Sequence, residues 1–215
     1  MAFGDLILTP GWCWHEHRHD GQVPVIWLDV LDVPLHMYLG TVKFQPGPVA
    51  QYPITMADAA FSAPNVLPET VTGRTDRSPV FRYPYADVAR AVQHAPPGAD
   101  GLRRVRYVNP LNGDPAMPLL EASMLQIDAG GSSLPMRSNA NVVCCVVEGE
   151  GQTQIGDRTL QWGARDIFTL PQNQWVSHRV QGQAAARLFT VSDRDLMRRL
   201  GVLSEEIQTP GAQAA

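Results

Sequence analysis

The chain has 215 residues, of which 44% are hydrophobic and 18% charged, and its formal net charge is −4. This length and composition are typical of a folded protein with a sizeable core, and the weakly acidic charge without a basic run argues against binding to nucleic acid or to an anionic membrane. Residues 1–30 show neither a signal peptide nor an apolar run long enough to span a bilayer, so we expect a cytoplasmic location.

In chain order, short β-branched runs alternate with turn residues, and this pattern favours an all-β sandwich or barrel. Helical spacing is sparse, and it predicts one short helix over residues 85–93 and another over 193–200 that is capped near Ser192. The region between Gly40 and Pro79 has little periodicity and is expected to be an irregular connection. The predicted strands are residues 25–31, 122–127, 141–147, 152–155, 165–170 and 187–191.

The three cysteines, Cys13, Cys144 and Cys145, are too few and too badly spaced for a disulfide framework or a zinc knuckle. Cys144 and Cys145 lie in an apolar run, which predicts buried side chains that behave as small hydrophobes. Cys13 precedes a group of histidines, and we expect it to contribute packing rather than a functional thiol.

A group of histidines near the start of the chain is the strongest chemical signal. His15, His17 and His19 follow one another at spacing two, and side chains at that spacing share one face of an extended strand. A metal ion could therefore contact two of them, and imidazole suits zinc, copper, iron and nickel, so the spacing alone does not choose the metal. The alternative is an exposed polar edge whose histidines face water.

An internal repeat relates this region to the second half of the chain. The first copy consists of residues 5–10, His15 and Asp29, and the second consists of residues 166–171, His178 and Asp193. The second copy also has an upstream half, residues 142–155, for which the first copy has no counterpart in the sequence.

Two motifs carry a resemblance to a known superfamily. The run from Gly4-Asp5 through Pro10 to His15, and the run Val146-Val-Glu-Gly-Glu-Gly151, resemble the two motifs of the cupins, whose fold is a double-stranded β-helix of the jelly-roll type. More closely, residues 4–34, 106–118 and 188–201 resemble the gentisate 1,2-dioxygenase family, which includes salicylate and 1-hydroxy-2-naphthoate dioxygenases. The first block combines Trp-x-Trp-His-x-His with Trp-Leu-Asp.

The resemblance implies an all-β bicupin whose amino-terminal barrel binds Fe(II) through three histidines and opens a hydroxylated aromatic acid with O₂. By position, His15 matches the third iron ligand, whereas His17 and Asp29 match residues that contact or orient the substrate. Trp14 is expected to pack in the core or line the pocket wall, and stacking on the aromatic substrate is the functional alternative. The other two ligand positions are expected upstream of Met1, which would leave the first barrel truncated in this chain.

The carboxy-terminal cupin offers no substitute ligands in the sequence. Counting back from Glu148, the positions at which an iron-binding cupin carries His-x-His hold Met136 and Ser138. A thioether and a hydroxyl do not replace two imidazoles on Fe(II). His178 therefore stands alone, and we expect it to be a structural, hydrogen-bonded histidine.

These observations predict four segments: the closing strands of a truncated amino-terminal cupin over 1–40, an irregular connection with a short helix over 41–102, a carboxy-terminal cupin over 103–203, and a disordered tail over 204–215. The leading hypothesis is a gentisate 1,2-dioxygenase-like protein that uses Fe(II) and O₂ to cleave an aromatic hydroxy acid. The alternative is a non-catalytic cupin that serves binding or oligomerisation. Because a half-barrel exposes apolar edges, we expect a homo-oligomer.

Overall fold

A computed structural model describes residues 1–9, 11–47, 53, 57–61, 63, 66–69 and 76–209. The helices in this part are α1 Val33–Tyr38, α2 Tyr85–His94, α3 Arg194–Arg199 and a 3-10 helix over Asp58–Phe61. The strands are β1 Leu6–Ile7, β2 Arg82–Tyr83, β3 Arg103–Arg106, β4 Glu121–Ile127, β5 Met136–Ser138, β6 Val142–Glu148, β7 Gly151–Ile155, β8 Arg158–Trp162, β9 Ile167–Leu170, β10 Val176–Arg179, β11 Ala186–Ser192 and β12 Glu205–Ile207. Within these residues, no helix has both the length and the apolar character needed to cross a membrane.

The consecutive strands β4 to β11 wind into a double-stranded β-helix. They form nested antiparallel pairs, β4 with β11, β5 with β10, β6 with β9 and β7 with β8, as one long hairpin does when it coils on itself. Further pairing of β11 with β6 and of β10 with β7 completes two five-stranded sheets, in the orders β3-β4-β11-β6-β9 and β12-β5-β10-β7-β8. The predicted all-β class and jelly-roll cupin fold are therefore confirmed.

Strand β4 shows how the two apolar cores are organised. All seven of its residues are buried, because successive side chains point to opposite faces of a sheet that is covered on both sides. Leu125 and Ile127 point into the barrel, where they pack with Trp162 and Leu188. Ala122 and Met124 point to the opposite face of β4, outside the barrel. There they pack in a second core with α2, the end of β1 and the residues around β2. The amino-terminal segment is thus held against the outside of the carboxy-terminal barrel.

The predicted strands at 122–127, 141–147, 152–155, 165–170 and 187–191 are confirmed as β4, β6, β7, β9 and β11, and the two predicted helices as α2 and α3. Near the start of α3, the backbone N–H of Arg194 donates to Ser192 Oγ at 3.0 Å. The predicted strand at 25–31 is wrong, because these residues form no regular structure. Its apolar pattern is suited to a sheet, but a strand forms only where a neighbour completes its backbone hydrogen bonds.

The predicted disordered tail is wrong at its beginning. Strand β12 extends the sheet beyond β5, and Arg137 on β5 forms an ion pair with Glu206 on β12 at 2.8 Å. The sequence did not predict this strand, because an edge strand that faces water carries charged residues in place of an apolar pattern. Residues 210–215, and much of the predicted irregular connection between 40 and 79, lie outside the described residues.

Candidate functional site

The amino-terminal segment is anchored to the barrel by the carboxylate of Asp5, whose side chain is 3% exposed. Its Oδ2 accepts a hydrogen bond from Arg82 Nε, and its Oδ1 accepts one from the backbone N–H of Tyr85, both at 3.0 Å. The second contact places a negative charge at the first turn of α2, where backbone N–H groups lack helical partners. Burial raises the pKa of Asp5, but hydrogen bonds from Tyr85, Ala2 and Arg82 outweigh it and lower the pKa overall.

His15 and His17 lie side by side downstream of this anchor, in a stretch that is exposed to solvent. Their ring centroids are 5.8 Å apart with the planes at 85°. His17 also stacks on Trp27, with the centroids 4.9 Å apart and the planes at 14°. His15 Nδ1 lies 3.2 Å from the carbonyl oxygen of Cys13. The structure thus brings His15, His17 and Trp27 together from two separate motifs of the sequence.

The same stretch does not form a complete metal site. Within the described residues, no group of three His, Cys, Asp or Glu side chains is arranged to hold a metal ion. His19, the third histidine of the cluster, contacts the carbonyl oxygen of Val23 instead, at 2.7 Å. Trp14 and Asp29 are exposed rather than enclosed in a pocket wall. A non-haem iron that activates O₂ needs several protein ligands as well as open positions, so the described donor set does not fit that metal by itself.

The backbone of this segment repeats in the carboxy-terminal cupin with a constant offset. Helices α1 and α3 have the same length and begin 161 residues apart, at Val33 and Arg194. Each is followed by a leucine and then by a glycine in the left-handed region, Gly40 with a φ of 65° and Gly201 with a φ of 71°. The two helix ends are therefore built in the same way.

The turns before the helices keep the same offset. Gly4 and Arg165 both have a φ of 78°, and Trp12 and Asn173 have φ values of 63° and 61°. Positive φ is uncommon outside glycine, so its appearance at matched positions is a specific structural signature. The turns at the start of the two segments and the helices at their end therefore correspond at a constant offset of 161 residues.

This offset corrects the register of the repeat that the sequence suggested. His17, not His15, corresponds to His178, and His15 corresponds to Val176. Val176 and His178 point into the carboxy-terminal barrel and are only 9% and 7% exposed. His15 and His17 thus correspond to two successive inward positions of β10, although they are themselves exposed and lie in no strand.

The offset also changes the counterparts of the other predicted site residues. Asp29 corresponds to Thr190 rather than to Asp193, and Thr190 points to the interior face of β11. Trp14 corresponds to Trp175, whose ring lies 4.9 Å from a guanidinium on β5. Because Trp175 directly precedes the inward residue at 176, the repeat places Trp14 on the outer face of the strand. The repeat therefore matches Asp29 to a residue that faces the barrel interior, and it matches Trp14 to one that does not.

His178 shows what an inward histidine does in the complete barrel. Trp162 Nε1 donates to Thr153 Oγ1 at 2.8 Å, and that oxygen lies 2.8 Å from His178 Nδ1. His178 is thus tied to Trp162 through the threonine hydroxyl, which accepts from the indole N–H and shares a hydrogen bond with the imidazole. Burial, together with the charge of Arg104, lowers the pKa of His178 to about 4. The prediction of a structural, hydrogen-bonded histidine is confirmed.

Sequence reasoning missed the arginine that holds the histidine stretch. Arg77 Nη1 donates to the carbonyl oxygen of Gly11 at 2.9 Å, and its Nη2 lies 3.7 Å from Cys13 Sγ. No pattern surrounds Arg77 in the sequence, so only the tertiary structure could find it. Cys13 was expected to contribute packing and is exposed instead. Cys144 is buried as predicted, whereas Cys145 is only partly buried.

Three comparisons relate this architecture to known proteins. No protein-family model matches the chain. Gentisate 1,2 dioxygenase 1 of Aquipseudomonas alcaligenes is 32% identical over 95% of this chain and 60% of its own length, and the gentisate 1,2-dioxygenase of a Ralstonia species is 36% identical over 94% of this chain and 58% of its own length. The structure of salicylate 1,2-dioxygenase from Pseudaminobacter salicylatoxidans matches 96% of this chain and 62% of its own, with a TM-score of 0.86 and 28% identity.

The chain is therefore a relative of the cupin ring-cleaving dioxygenases. More specifically, the predicted resemblance to the gentisate 1,2-dioxygenase family is confirmed over nearly its whole length, and the matched region is the carboxy-terminal portion of those proteins. The chain spans about three fifths of the length of the curated relatives that it matches.

Proposed function

We propose that this chain forms the carboxy-terminal part of a gentisate 1,2-dioxygenase-like enzyme that opens a hydroxylated aromatic carboxylic acid with O₂. The observation that carries the proposal is the pair His15 and His17, whose repeat counterparts Val176 and His178 are successive inward residues of β10, in a chain that is similar to gentisate dioxygenases over nearly all of its length. Imidazole ligands suit Fe(II), which is the metal implied by the resemblance.

In this proposal His15 is a metal ligand, and His17 and Asp29 contact the substrate. An imidazole nitrogen and a carboxylate can exchange hydrogen bonds with the hydroxyl and carboxyl groups of such an acid. Trp27, stacked on His17, supplies an aromatic surface beside them. Trp14 stays a predicted substrate contact. Because the described residues do not complete a metal site, the proposal includes no reaction step at the metal.

Oxygen uptake tests the proposal directly. The chain is co-expressed with the part of the Ralstonia relative that precedes the matched region, loaded with Fe(II) without oxygen, and then given gentisate and O₂. We expect uptake that requires Fe(II), gentisate and His15, so that His15→Ala abolishes it. His94→Ala, at the exposed end of α2, is the matched control and should retain the activity. A folded complex of the two polypeptides that binds Fe(II) and consumes no oxygen would contradict the proposal.

A non-catalytic role in binding or assembly is the second candidate. It is favoured by the contrast between the complete carboxy-terminal barrel and the absence of a metal-ligand group among the described residues. In either role we propose a homo-oligomer in the cytoplasm, because exposed apolar side chains between residues 12 and 44 favour association. Light scattering should show a dimer or larger assembly, and a monomer at all concentrations would contradict this expectation.

A further inference from the structure

Arg77 extends from a firmly held part of the chain. The next residue, Ser78, is buried, and its backbone N–H donates to the carbonyl oxygen of Ala116 at 2.8 Å. Its Oγ accepts hydrogen bonds from the Tyr83 hydroxyl at 2.7 Å and from the Val80 backbone N–H at 3.0 Å. Arg77 therefore has a fixed base in the second apolar core, and its side chain reaches from there to the group of histidines near the start of the chain.

The guanidinium of Arg77 contacts both sides of a turn with an unusual backbone. Trp12 has a φ of 63°, which is uncommon outside glycine. Arg77 Nη1 donates at 2.9 Å to the carbonyl oxygen of Gly11, which precedes Trp12, and Nη2 lies 3.7 Å from Sγ of Cys13, which follows it. Such a conformation persists only where the surrounding structure holds it, and Arg77 supplies contacts that do so.

The turn sets the hydrogen bond of His15. Nδ1 of His15 lies 3.2 Å from the carbonyl oxygen of Cys13. A carbonyl oxygen can only accept a hydrogen bond, so Nδ1 donates, and a neutral imidazole has a single N–H. Nε2 therefore carries the electron pair, and it is the nitrogen with which the neutral ring can bind a metal ion or accept a hydrogen bond.

His19 is held in the opposite way. Its Nε2 lies 2.7 Å from the carbonyl oxygen of Val23, so Nε2 donates and Nδ1 carries the electron pair. Gly21 leaves room for this ring, since a Cβ at Gly21 would lie 2.5 Å from Cε1 of His19. Two histidines of one group thus have opposite tautomers, each set by a different carbonyl group.

We infer that Arg77 is a positioning residue, which holds the turn at Trp12 so that the Cys13 carbonyl keeps neutral His15 in the Nδ1–H tautomer. A histidine that binds through one ring nitrogen is oriented by the hydrogen bond that its other nitrogen donates. The use of Nε2 rests on the proposed function, in which His15 is a metal ligand, whereas the tautomer itself does not.

Nitrogen NMR of the 215-residue chain tests the inference. Spectra that correlate ring protons with imidazole ¹⁵N nuclei distinguish the two tautomers, and they are recorded at a pH of about 8.5, where imidazoles are generally neutral. His15→Gln and His19→Gln identify the signals. We expect mainly the Nδ1–H form for His15 and mainly the Nε2–H form for His19.

Two arginine variants separate the contacts of Arg77 from its charge. Arg77→Met should lower the ratio of the Nδ1–H form to the Nε2–H form of His15 by at least about fivefold, as the loss of one ordinary hydrogen bond allows. Arg18→Met removes the same charge from the histidine group, where Arg18 pairs with Asp20, and should leave His15 unchanged. In both variants the signals of the buried His178 should not move, because the barrel stays folded.

Gly21→Ala should give the reciprocal result. The added methyl group displaces the ring of His19 from the Val23 carbonyl, so the tautomer ratio of His19 should change while that of His15 stays the same. In the oxygen-uptake experiment, Arg77→Met should raise the Fe(II) concentration for half-maximal uptake by the same factor as the tautomer ratio, and Gly21→Ala should not.

The unsubstituted chain alone can overturn the inference, if its His15 is mainly in the Nε2–H form. The inference is also wrong if Arg77→Met leaves His15 unchanged, if Arg18→Met shifts it equally, or if Arg77→Met moves the His178 signals as well, since Arg77 would then support the whole fold. The expected spectra together with a complex that consumes no oxygen would contradict the proposed function and leave the role of Arg77 in place.

Discussion

The two copies of the cupin repeat share their turns and helix ends, and they differ in whether the segments between these form paired strands. In the carboxy-terminal copy, His178 and Leu188 lie inside a barrel closed by nested strand pairs. In the amino-terminal copy, the matched His17 and Trp27 stack on each other in solvent. The turns, the positive φ angles and the helix that follows are the same in both. Local sequence therefore specifies the path of the chain, and partner strands convert that path into a sheet with a buried interior.

The largest expected effect is on stability, and it should differ between matched side-chain truncations in the two copies. Leu188→Ala should lower the free energy of unfolding by about 2–5 kcal/mol, because it leaves a cavity in a packed interior. Trp27→Ala, at the matched position, should change it by no more than about 1 kcal/mol, because Trp27 is 47% exposed and stacks on His17 rather than filling a closed interior. Denaturant unfolding followed by far-ultraviolet circular dichroism measures both. A comparable loss for Trp27→Ala would mean that the amino-terminal copy is also covered.

A second expectation concerns the pH dependence that follows from the burial of His178. Its pKa is lowered from 6.5 to about 4 in the folded protein, so the unfolded chain binds a proton over a range in which the folded chain does not. Stability should therefore fall as the pH drops from about 6.5 to about 4, by up to about 3 kcal/mol. His178→Gln should flatten this part of the curve in denaturant titrations at successive pH values. His17→Gln is the matched control, and a similar flattening by it would contradict the contrast between the copies.

A smaller effect is expected at the anchor of the amino-terminal copy. Asp5→Asn should cost about 2 kcal/mol, because it weakens charged hydrogen bonds to Arg82 and to the first turn of α2. Asp166→Asn, at the matched position, should cost less than about 1 kcal/mol, because Asp166 is exposed and, in the described part of the chain, its carboxylate accepts a hydrogen bond from the Gly163 N–H alone. Unfolding measurements with hydrogen exchange of β1 would detect both effects. Equal losses would show that Asp5 is not a specific anchor.

The sequence predicted the carboxy-terminal barrel well because its strands carry strong apolar patterns. Strands β4 and β6 are recognisable from residues such as Leu125 and Val146, which are buried. Strands β8, β10 and β12 were missed, because their exposed or polar residues give no such pattern. The same pattern at 25–31 predicted a strand that does not form, since periodicity reports which side chains suit a sheet and not whether a neighbouring strand is present.

For the candidate site, the sequence supplied the histidines and the resemblance, and the structure supplied their register and surroundings. Spacing alone placed His15 and His17 on one face of an extended strand. The positive φ angles and helix ends confirm the offset of 161 residues that Asp5 and Asp166 already carry in the sequence, and this offset makes His17, not His15, the counterpart of His178. The Asp5 anchor and the Arg77 contacts also required the structure, since their partners are distant in the sequence.

The sequence by itself determined the fold class, the family resemblance and the local path of both repeat copies, because turn residues, helix signals and apolar alternation act over a few neighbouring positions. Only the tertiary structure showed which copy has the strand pairs of a closed barrel. His178 is buried and His17 is exposed at matched positions of the repeat, and they differ because strand pairing is a long-range interaction whose partners no local pattern contains.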